Sequence, residues 1–226
     1  MGTVGAIIVA AGKSRRMGGI DKVFANIAGK PLLAHVVDVF QKCPSISQVV
    51  IVLSEDNLTE GRRLVEEYQW SKVIAVCNGG ARRQDSVAEG LENLSGCQWV
   101  VIHDGARPCI SVDLIEAGIK EAFQCGAAIA AIPVSDTIKV VSPSSFVEET
   151  PPRHSLWAAQ TPQVFRFDII TEAYRKAQVY ATDDATLVEN LNYKVKVYPG
   201  SDINIKVTTP DDLLLAEVIL ESRQRV

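Results

Sequence analysis

The feature that most constrains the fold is a regular alternation of short apolar runs with longer amphipathic segments. Five runs are apolar on both faces, as is typical of strands buried within a sheet: Val4–Ala10, Val49–Leu53, Val73–Cys77, Trp99–His103 and Ala127–Val134. Six segments repeat apolar residues at helical spacing: Pro31–Gln41, Leu58–Tyr68, Gln84–Leu94, Val112–Phe123, Asp168–Ala177 and Pro210–Ser222. This alternation predicts an α/β fold, with a mostly parallel sheet flanked by helices on both faces.

Residues 135–163 interrupt this alternation. Turn residues cluster at Ser142-Pro143-Ser144-Ser145 and at Thr150-Pro151-Pro152. The pattern around them predicts small strands over Thr137–Val141, Phe146–Glu148 and Leu156–Ala159. We therefore predict one domain over residues 1–226, with a projecting β-arm at about 135–163. Apolar residues on such an arm need a cover, so a dimer partner is one interpretation and an ordinary surface excursion is the other.

Charge and cysteine content restrict the class of protein. The formal net charge of -4 disfavours wrapping of nucleic acid, which requires a basic surface. The five cysteines form no CxxC pair and do not cluster with the three histidines, so we predict no zinc site and a reducing compartment. Neither a signal-peptide pattern nor a bilayer-spanning apolar run is evident. We expect a cytoplasmic protein without nucleic-acid or membrane partners.

A loop of small and cationic residues follows the first strand and reads Ala10-Ala11-Gly12-Lys13-Ser14-Arg15-Arg16-Met17-Gly18, with Lys22 soon after it. The small residues let backbone N–H groups approach a ligand closely. The cations suit a triphosphate, which carries about four negative charges. A P-loop is excluded because Ile7 stands where that motif requires glycine, and no GxGxxG triad is present. We predict a triphosphate site here, and a solvated basic loop is the alternative.

Two further loops follow buried strands, and parallel strands would bring them to the same edge of the sheet. The first reads Gly79-Gly80-Ala81-Arg82-Arg83-Gln84-Asp85-Ser86, in which the arginines suit phosphate and Ser86 suits a base. A plain glycine turn before a polar helix start is the alternative. The second loop reads His103-Asp104-Gly105-Ala106-Arg107-Pro108. Asp104 is placed to bind Mg²⁺, Arg107 suits an anionic substrate, and His103 is interpreted as structural.

The segment before the last helix alternates polar and apolar residues. This alternation places Asp202, Asn204 and Lys206 on one side of an extended stretch, which we interpret as the closing wall of the site. No Ser-His-Asp or Cys-His arrangement is evident in the sequence. The sequence therefore favours a reaction that depends on positioning and charge neutralisation, without a protein nucleophile.

In combination, these motifs resemble the 2-C-methyl-D-erythritol 4-phosphate cytidylyltransferases of the non-mevalonate isoprenoid pathway. The resemblance covers nearly the whole chain and is carried by AAGKSRRMG, Lys22, GGARRQDSV, HDGARP, PVSDTIK, RHSLWAAQTPQVF and DINIKVTTPDDL. It implies a Rossmann-like fold of nucleotidyltransferase type. It also implies transfer of CMP from CTP to 2-C-methyl-D-erythritol 4-phosphate, which gives 4-diphosphocytidyl-2-C-methyl-D-erythritol and pyrophosphate.

The resemblance further implies roles for individual residues. Arg16 and Lys22 would be catalytic and would stabilise charge on the α-phosphorus. The CTP site would be formed by Ala10, Ala11, Gly12, Gly80, Ser86 and Asp104, with Mg²⁺ on the phosphates and Asp104 as its candidate ligand. The second substrate would be bound by Arg107, Thr137, Arg153 and Lys206. Thr137 and Arg153 lie on the arm, which in this family crosses to the partner subunit, so a homodimer with arm exchange is expected.

Three other interpretations remain open from the sequence. A cytidylyltransferase acting on ribitol 5-phosphate or another pentitol phosphate resembles the same fold and site, although Gly105-Ala106 favours the methylerythritol branch. A catalytically silent nucleotide-binding dimer is disfavoured because Arg16 and Lys22 are both present. A molybdopterin-type nucleotidyltransferase would not explain the arm.

Overall fold

A computed structural model describes residues 2–12, 22–178 and 180–224 of the chain. Its strands are β1 (Val4–Val9), β2 (Asn26–Ile27), β3 (Lys30–Pro31), β4 (Ile46–Leu53), β5 (Val73–Asn78), β6 (Trp99–Asp104), β7 (Ala127–Pro133), β8 (Val140–Val141), β9 (Val147–Glu149), β10 (Trp157–Arg166) and β11 (Lys196–Pro199). Its α-helices are α1 (Leu32–Lys42), α2 (Leu58–Glu67), α3 (Arg83–Glu92), α4 (Val112–Cys125), α5 (Phe167–Lys176), α6 (Asp184–Glu189) and α7 (Pro210–Gln224).

The described strands build a seven-stranded sheet in the order β11-β7-β10-β6-β1-β4-β5. Strand β10 runs antiparallel to both of its neighbours, whereas the other adjacent pairs are parallel. The predicted α/β class with a mostly parallel sheet is therefore confirmed. Because β1, β4, β5 and β6 run in one direction, the loops that follow β1, β5 and β6 emerge at one edge of the sheet.

Alternate side chains of each buried strand pack on opposite faces of the sheet. Ile8 belongs to one core cluster, with Phe40 of α1 and Ile115 of α4. Ile7 belongs to the other cluster, with Val87 of α3 and further residues of α5 and α6. Both isoleucines are fully buried. Helices therefore cover both faces of the sheet. Because neither face meets water, the buried strands are apolar at every position instead of alternating with polar residues.

The bounds of α4 show how the sequence sets its ends. The Ser111 hydroxyl accepts a hydrogen bond from the Leu114 N–H and so caps the first turn. Gly126 follows the last turn with a φ of 90°, a left-handed conformation that favours glycine. The helix consequently ends at Cys125, two residues beyond the predicted Phe123.

The predicted arm over 135–163 is wrong in its last part. Strand β10 begins at Trp157 and pairs with β7 and then with β6, so residues 157–163 belong to the central sheet. The projecting part contains the β8–β9 hairpin, which turns through residues 142–146. Gln160, Thr161 and Gln163 are buried polar residues. Their polarity, together with Pro162, hid the long strand from pattern analysis.

The chain ends in α7, which covers a smaller apolar cluster. Ala216 and Leu220 of this helix pack with Ile27, Leu32 and Val207. The cluster fixes the segment before α7 close to the edge of the sheet where the three loops emerge. In the described part of the chain, no helix combines the length and the apolar character that crossing a bilayer requires.

Gly90 tests the contact between α3 and the sheet. A Cβ atom at this position would lie 2.5 Å from Ile7 Cγ2 and 3.2 Å from Val52 Cγ2. Alanine is normally favoured over glycine inside a helix by about 1 kcal/mol. Here we expect Gly90→Ala to lower the free energy of unfolding by about 1–3 kcal/mol because the core is overpacked, as urea denaturation would measure.

The control is Glu92→Ala, which changes an exposed residue of the same helix. We expect it to stay within about 0.5 kcal/mol of the wild type. A Gly90→Ala protein as stable as the wild type would contradict the close packing of α3 on β1.

Candidate active site

A cleft of about 590 Å³ opens where the loops after β1, β5 and β6 meet. Its walls come from these loops, from the start of α3, and from two further segments near residues 22 and 206. The lining residues are Val9, Ala10, Ala11, Gly12, Lys22, Val23, Gly80, Ala81, Arg82, Arg83, Ser86, Asp104, Ala106 and Lys206. Eight of the residues predicted from the sequence are among them: Ala10, Ala11, Gly12, Lys22, Gly80, Ser86, Asp104 and Lys206.

Small residues allow the three loops to approach one another. A Cβ atom on Gly79 would lie 2.5 Å from Ala11 Cβ, and one on Gly105 would lie 2.8 Å from Ala10 Cβ. The Gly105 N–H also donates to the Val9 carbonyl at 2.8 Å. Any side chain at either glycine would push the loops apart. The floor of the cleft is thus backbone and methyl groups, which a flat or anionic ligand can approach closely.

The first turn of α3 forms one wall of the cleft. The Ser86 hydroxyl donates to the Arg82 carbonyl at 3.1 Å and accepts from the Gly80 N–H at 3.2 Å. Asp85 closes the turn by accepting from the Arg82 N–H at 3.1 Å. Because the N–H groups of a helix start carry partial positive charge, this wall favours an anion.

Asp104 lies at the centre of an ion cluster. Its Oδ1 accepts from Arg83 Nε at 2.9 Å, and its Oδ2 accepts from Lys206 Nζ at 2.6 Å. Burial by itself raises the pKa of this carboxyl group, but the cations of Arg83 and Lys206 outweigh burial and hold the pKa well below its ordinary value. Asp104 is therefore ionised, and the cluster keeps charged groups in place at the cleft wall.

Arg83 has a second partner that the sequence analysis missed. Its Nη1 and Nη2 donate to the two carboxylate oxygens of Asp184 at 3.0 and 2.9 Å. Tyr174 Oη donates to Asp184 Oδ1 at 2.5 Å. The only signal in the sequence was the acidic pair Asp183-Asp184, and Asp183 caps the start of α6. A pair of this kind is common at helix starts and does not by itself indicate a site.

Lys22 and Lys206 form the opposite side of the cleft. Lys22 Nζ donates to the Val207 carbonyl at 3.0 Å, and the Val207 N–H donates to the Ala106 carbonyl at 2.8 Å. Both ammonium groups reach the cleft from segments tied to the loop after β6. The prediction that Asp202, Asn204 and Lys206 together form the closing wall is wrong. Of the three, Lys206 lines the cleft, whereas Asn204 is fully buried and Asp202 is exposed without lining it.

Arg107 lies behind the wall of the cleft. Its Nη1 donates to the Asn204 carbonyl at 2.6 Å, and its Nε lies 4.0 Å from Asp104 Oδ2. The residue is only 9% exposed and does not line the cleft. Burial lowers the pKa of its guanidinium, although Asp104 opposes the shift. In this state Arg107 acts on the cleft through its charge and through the segment that carries Lys206.

His103 has a structural place beside the ion cluster. Burial lowers the pKa of its imidazole to about 3, so the ring is neutral. The Thr161 hydroxyl accepts from the Asp104 N–H at 3.0 Å and lies 3.0 Å from His103 Nδ1. The Arg107 carbonyl can only accept, so His103 Nε2 donates to it at 3.3 Å. In the neutral ring Nδ1 is then the acceptor, and the Thr161 hydroxyl donates to it. His103 holds the loop after β6, as the sequence analysis expected.

The remaining predicted residues lie away from the cleft or outside the part of the chain that the structure describes. Thr137 and Arg153 are exposed on the arm and do not line this chain's own cleft. Arg153 Nη1 donates to the Ser135 carbonyl at 2.7 Å, which ties the two sides of the arm together. Arg16 lies outside the described residues, as do Lys13, Ser14 and Arg15.

The expectation of Mg²⁺ depends on a single carboxylate. Among residues 2–12, 22–178 and 180–224, no three His, Cys, Asp or Glu side chains converge as a metal site. Asp104 at the cleft wall nevertheless fits Mg²⁺, which commonly takes one or two carboxylates together with substrate phosphates and water. Each Asp104 oxygen accepts one hydrogen bond from a cation and retains a lone pair.

Comparison with known proteins places this geometry in a family. The family model for 2-C-methyl-D-erythritol 4-phosphate cytidylyltransferase matches residues 4–222. The enzyme of that name from Dehalococcoides mccartyi is 56% identical over 218 residues, which cover 96% of each chain. The one from Alkaliphilus oremlandii is 44% identical and covers 96% of this chain and 95% of its own.

Solved structures agree with the sequence relatives. The crystal structure of 4-diphosphocytidyl-2C-methyl-D-erythritol synthase from Anaerococcus prevotii superposes with a TM-score of 0.87 at 31% identity, covering 97% of this chain and 96% of that one. The 2-C-methyl-D-erythritol 4-phosphate cytidylyltransferase of Thermus thermophilus superposes with a TM-score of 0.78 at 30% identity, covering 95% and 98%. The family model spans residues 4–222, and the cleft of small residues and cations lies at the expected edge of the sheet. The chain therefore belongs to the 2-C-methyl-D-erythritol 4-phosphate cytidylyltransferase family.

Proposed function

We propose that this chain transfers CMP from CTP to 2-C-methyl-D-erythritol 4-phosphate and releases pyrophosphate, which is the reaction for which its family is named. The observation that carries the proposal is the cleft itself. Its floor of small residues admits a nucleotide, and Lys22, Lys206 and the start of α3 surround the floor with positive charge. A triphosphate bound there would meet cations from three separate elements.

The cleft supports direct displacement at the α-phosphorus. Among its described lining residues, the only hydroxyl belongs to Ser86, which is buried and bonded to the Arg82 carbonyl. The 4-phosphate of methylerythritol phosphate would attack in line, and the P–O bond to the β-phosphate would break to release pyrophosphate. The protein's part is then to position both substrates and to neutralise charge.

Each group of cleft residues has a proposed role. Ala10, Ala11, Gly12, Gly80 and Ser86 would hold CTP through backbone groups and close contact. Lys22, together with Arg16, would stabilise the charge that develops on the α-phosphate. Lys206 would meet the phosphate of the second substrate, and the buried Arg107 would support it electrostatically.

We also propose Mg²⁺ as the cofactor. Asp104 would supply the protein carboxylate, and its neighbours Arg83 and Lys206 would keep that group ionised and oriented. When bound, Mg²⁺ would supply positive charge that neutralises the phosphates of CTP. Lys22 Nζ stays tied to the Val207 carbonyl and therefore keeps its cation at the cleft wall.

A homodimer would complete the site. The arm exposes large apolar side chains, namely Ile138, Val140, Val141, Phe146 and Val147, and Phe146 is 74% exposed. Exposed apolar surface of this kind favours burial against a second copy of the chain. Thr137 and Arg153 lie on the arm and outside this chain's own cleft. The substrate-binding role that the family resemblance implies for them therefore requires a second copy of the chain. We propose that they reach the partner's cleft.

A cytoplasmic location is the remaining part of the proposal. All five cysteines are free thiols in the structure, and three of them are buried. Free thiols agree with a reducing compartment.

Purified protein with CTP and a panel of acceptors tests the reaction. We expect pyrophosphate release with 2-C-methyl-D-erythritol 4-phosphate, and little with ribitol 5-phosphate, because the family to which the chain belongs is named for the former acceptor. Controls with ATP, GTP and UTP identify the base. Turnover with ribitol 5-phosphate alone would make the chain a pentitol-phosphate enzyme, and CTP binding without turnover would make it a silent nucleotide-binding protein.

Lys22→Ala tests the charge at the α-phosphate. We expect kcat to fall by a factor of about 100–1,000, since removing one group that stabilises developing charge has a cost of this order. The melting temperature should change little, because Lys22 is only partly buried. Lys120→Ala, at an exposed position of α4, is the matched control and should keep wild-type kcat. Unchanged turnover in Lys22→Ala would remove this residue from its role.

Mixed dimers test whether the arm acts on the partner. Lys22→Ala and Arg153→Ala proteins should each be nearly inactive. If each cleft uses its own Lys22 and the partner's Arg153, a mixed dimer has one intact cleft. Co-expression should then recover about a quarter of wild-type turnover, because half of randomly paired dimers are mixed. An arm that serves its own cleft would give no recovery.

A further inference from the structure

We infer that Asp184 is a positioning residue for cytidylyl transfer, which acts on the cleft through Arg83. The inference rests on the proposed function, because it concerns the same reaction. Asp184 itself does not line the cleft, and only 1% of it is exposed. Any effect it has on substrates must therefore pass through a residue that it contacts.

Arg83 is the residue that connects Asp184 to the cleft. Its Nη1 and Nη2 donate to the two oxygens of Asp184, and its Nε donates to Asp104 Oδ1. A bidentate pair of this kind fixes the plane of the guanidinium as well as its position. With the guanidinium plane fixed by Asp184, the Nε–H bond can point in one direction only. That direction sets where the Asp104 carboxylate can accept its hydrogen bond.

The position of Asp184 is itself over-determined. Tyr174 Oη donates to its Oδ1, and Tyr174 lies on α5 while Asp184 begins α6. The neighbouring Asp183 anchors the same helix start, since it accepts from the Thr186 N–H at 3.1 Å and from Gln163 Nε2 at 3.0 Å. Two helices and β10 thus hold the carboxylate that holds Arg83.

Charge balance gives Asp184 a second effect. Arg83, Lys206 and Arg107 all approach Asp104, so one carboxylate faces three cations. Asp184 supplies the second carboxylate and offsets the charge of Arg83. Without it, Arg83 would be free to pair more fully with Asp104, or to turn into the cleft and bind triphosphate oxygens in a wrong orientation. Both changes would misplace groups at the reacting centre.

The test is a double-mutant cycle between Asp184→Asn and Arg83→Gln, with kcat, KM for CTP and thermal unfolding measured for each protein. Asparagine keeps the shape of Asp184 but loses its charge and one acceptor. We expect Asp184→Asn alone to lower kcat by a factor of about 10–100, because small displacements at a reacting centre have effects of this size. Added to Arg83→Gln, it should lower kcat no further.

Thermal unfolding separates positioning from a structural role. Asp184→Asn should lower the melting temperature in both backgrounds. In both, the Tyr174 hydroxyl loses a charged acceptor and is left with a neutral amide group. A purely structural role would also lower kcat by the same factor in both backgrounds, and that result would overturn the inference. Asp184→Asn with kcat within about twofold of the wild type would overturn it as well.

Two further variants complete the design. Glu189→Ala, at an exposed position of α6, is the matched control and should keep both kcat and the melting temperature. If Asp184→Asn does not fold, Tyr174→Phe carries the test, because it removes only the hydroxyl that holds Asp184. Its kcat should fall in the wild-type background and stay unchanged with Arg83→Gln; no fall in the first would overturn the inference. Turnover by the wild type in the same assay separates this outcome from failure of the proposed function.

Discussion

The structure of the cleft depends on the Asp104 carboxylate and the two cations that hold it. Arg83 reaches it from the start of α3, and Lys206 reaches it from the segment before α7. Arg83 and Asp104 meet because β5 and β6 end at one edge of the sheet. Lys206 is held there by the hydrogen bond from the Val207 N–H to the Ala106 carbonyl. Opposite charges offset the cost of burying Asp104. The pairing keeps cationic groups in fixed positions where a triphosphate would bind.

Close approach of backbones is the second constraint. Gly79 and Gly105 let two loops pass within contact distance of the loop after β1. The cleft therefore needs small residues in several loops at once, and its charged side chains stand around the floor instead of on it. This division suits phosphoryl chemistry, in which positioning and charge neutralisation supply the catalysis.

Local patterns in the sequence predicted most of the sheet and most of the cleft floor. Buried strands such as Val4–Val9 are apolar throughout, and loops such as residues 79–86 carry chemistry at strand ends, so both are visible without contacts. The full length of strand β10 was not predicted. Its buried residues Gln160, Thr161 and Gln163 are polar, and polar residues are typical of loops until their hydrogen-bond partners are known. Arg107 was expected to face a substrate, but burial places it behind the wall.

By itself, the sequence determined the α/β class, the sheet edge that carries the site, and the family, because periodicity and local motifs are properties of short segments. Only the tertiary structure decided which charged groups pair. Asp184 lies 101 residues after Arg83 and looks like an ordinary helix-start acid until folding brings it onto that guanidinium. The physical reason is that a charge network is defined by distances between segments, and sequence spacing carries no information about those distances.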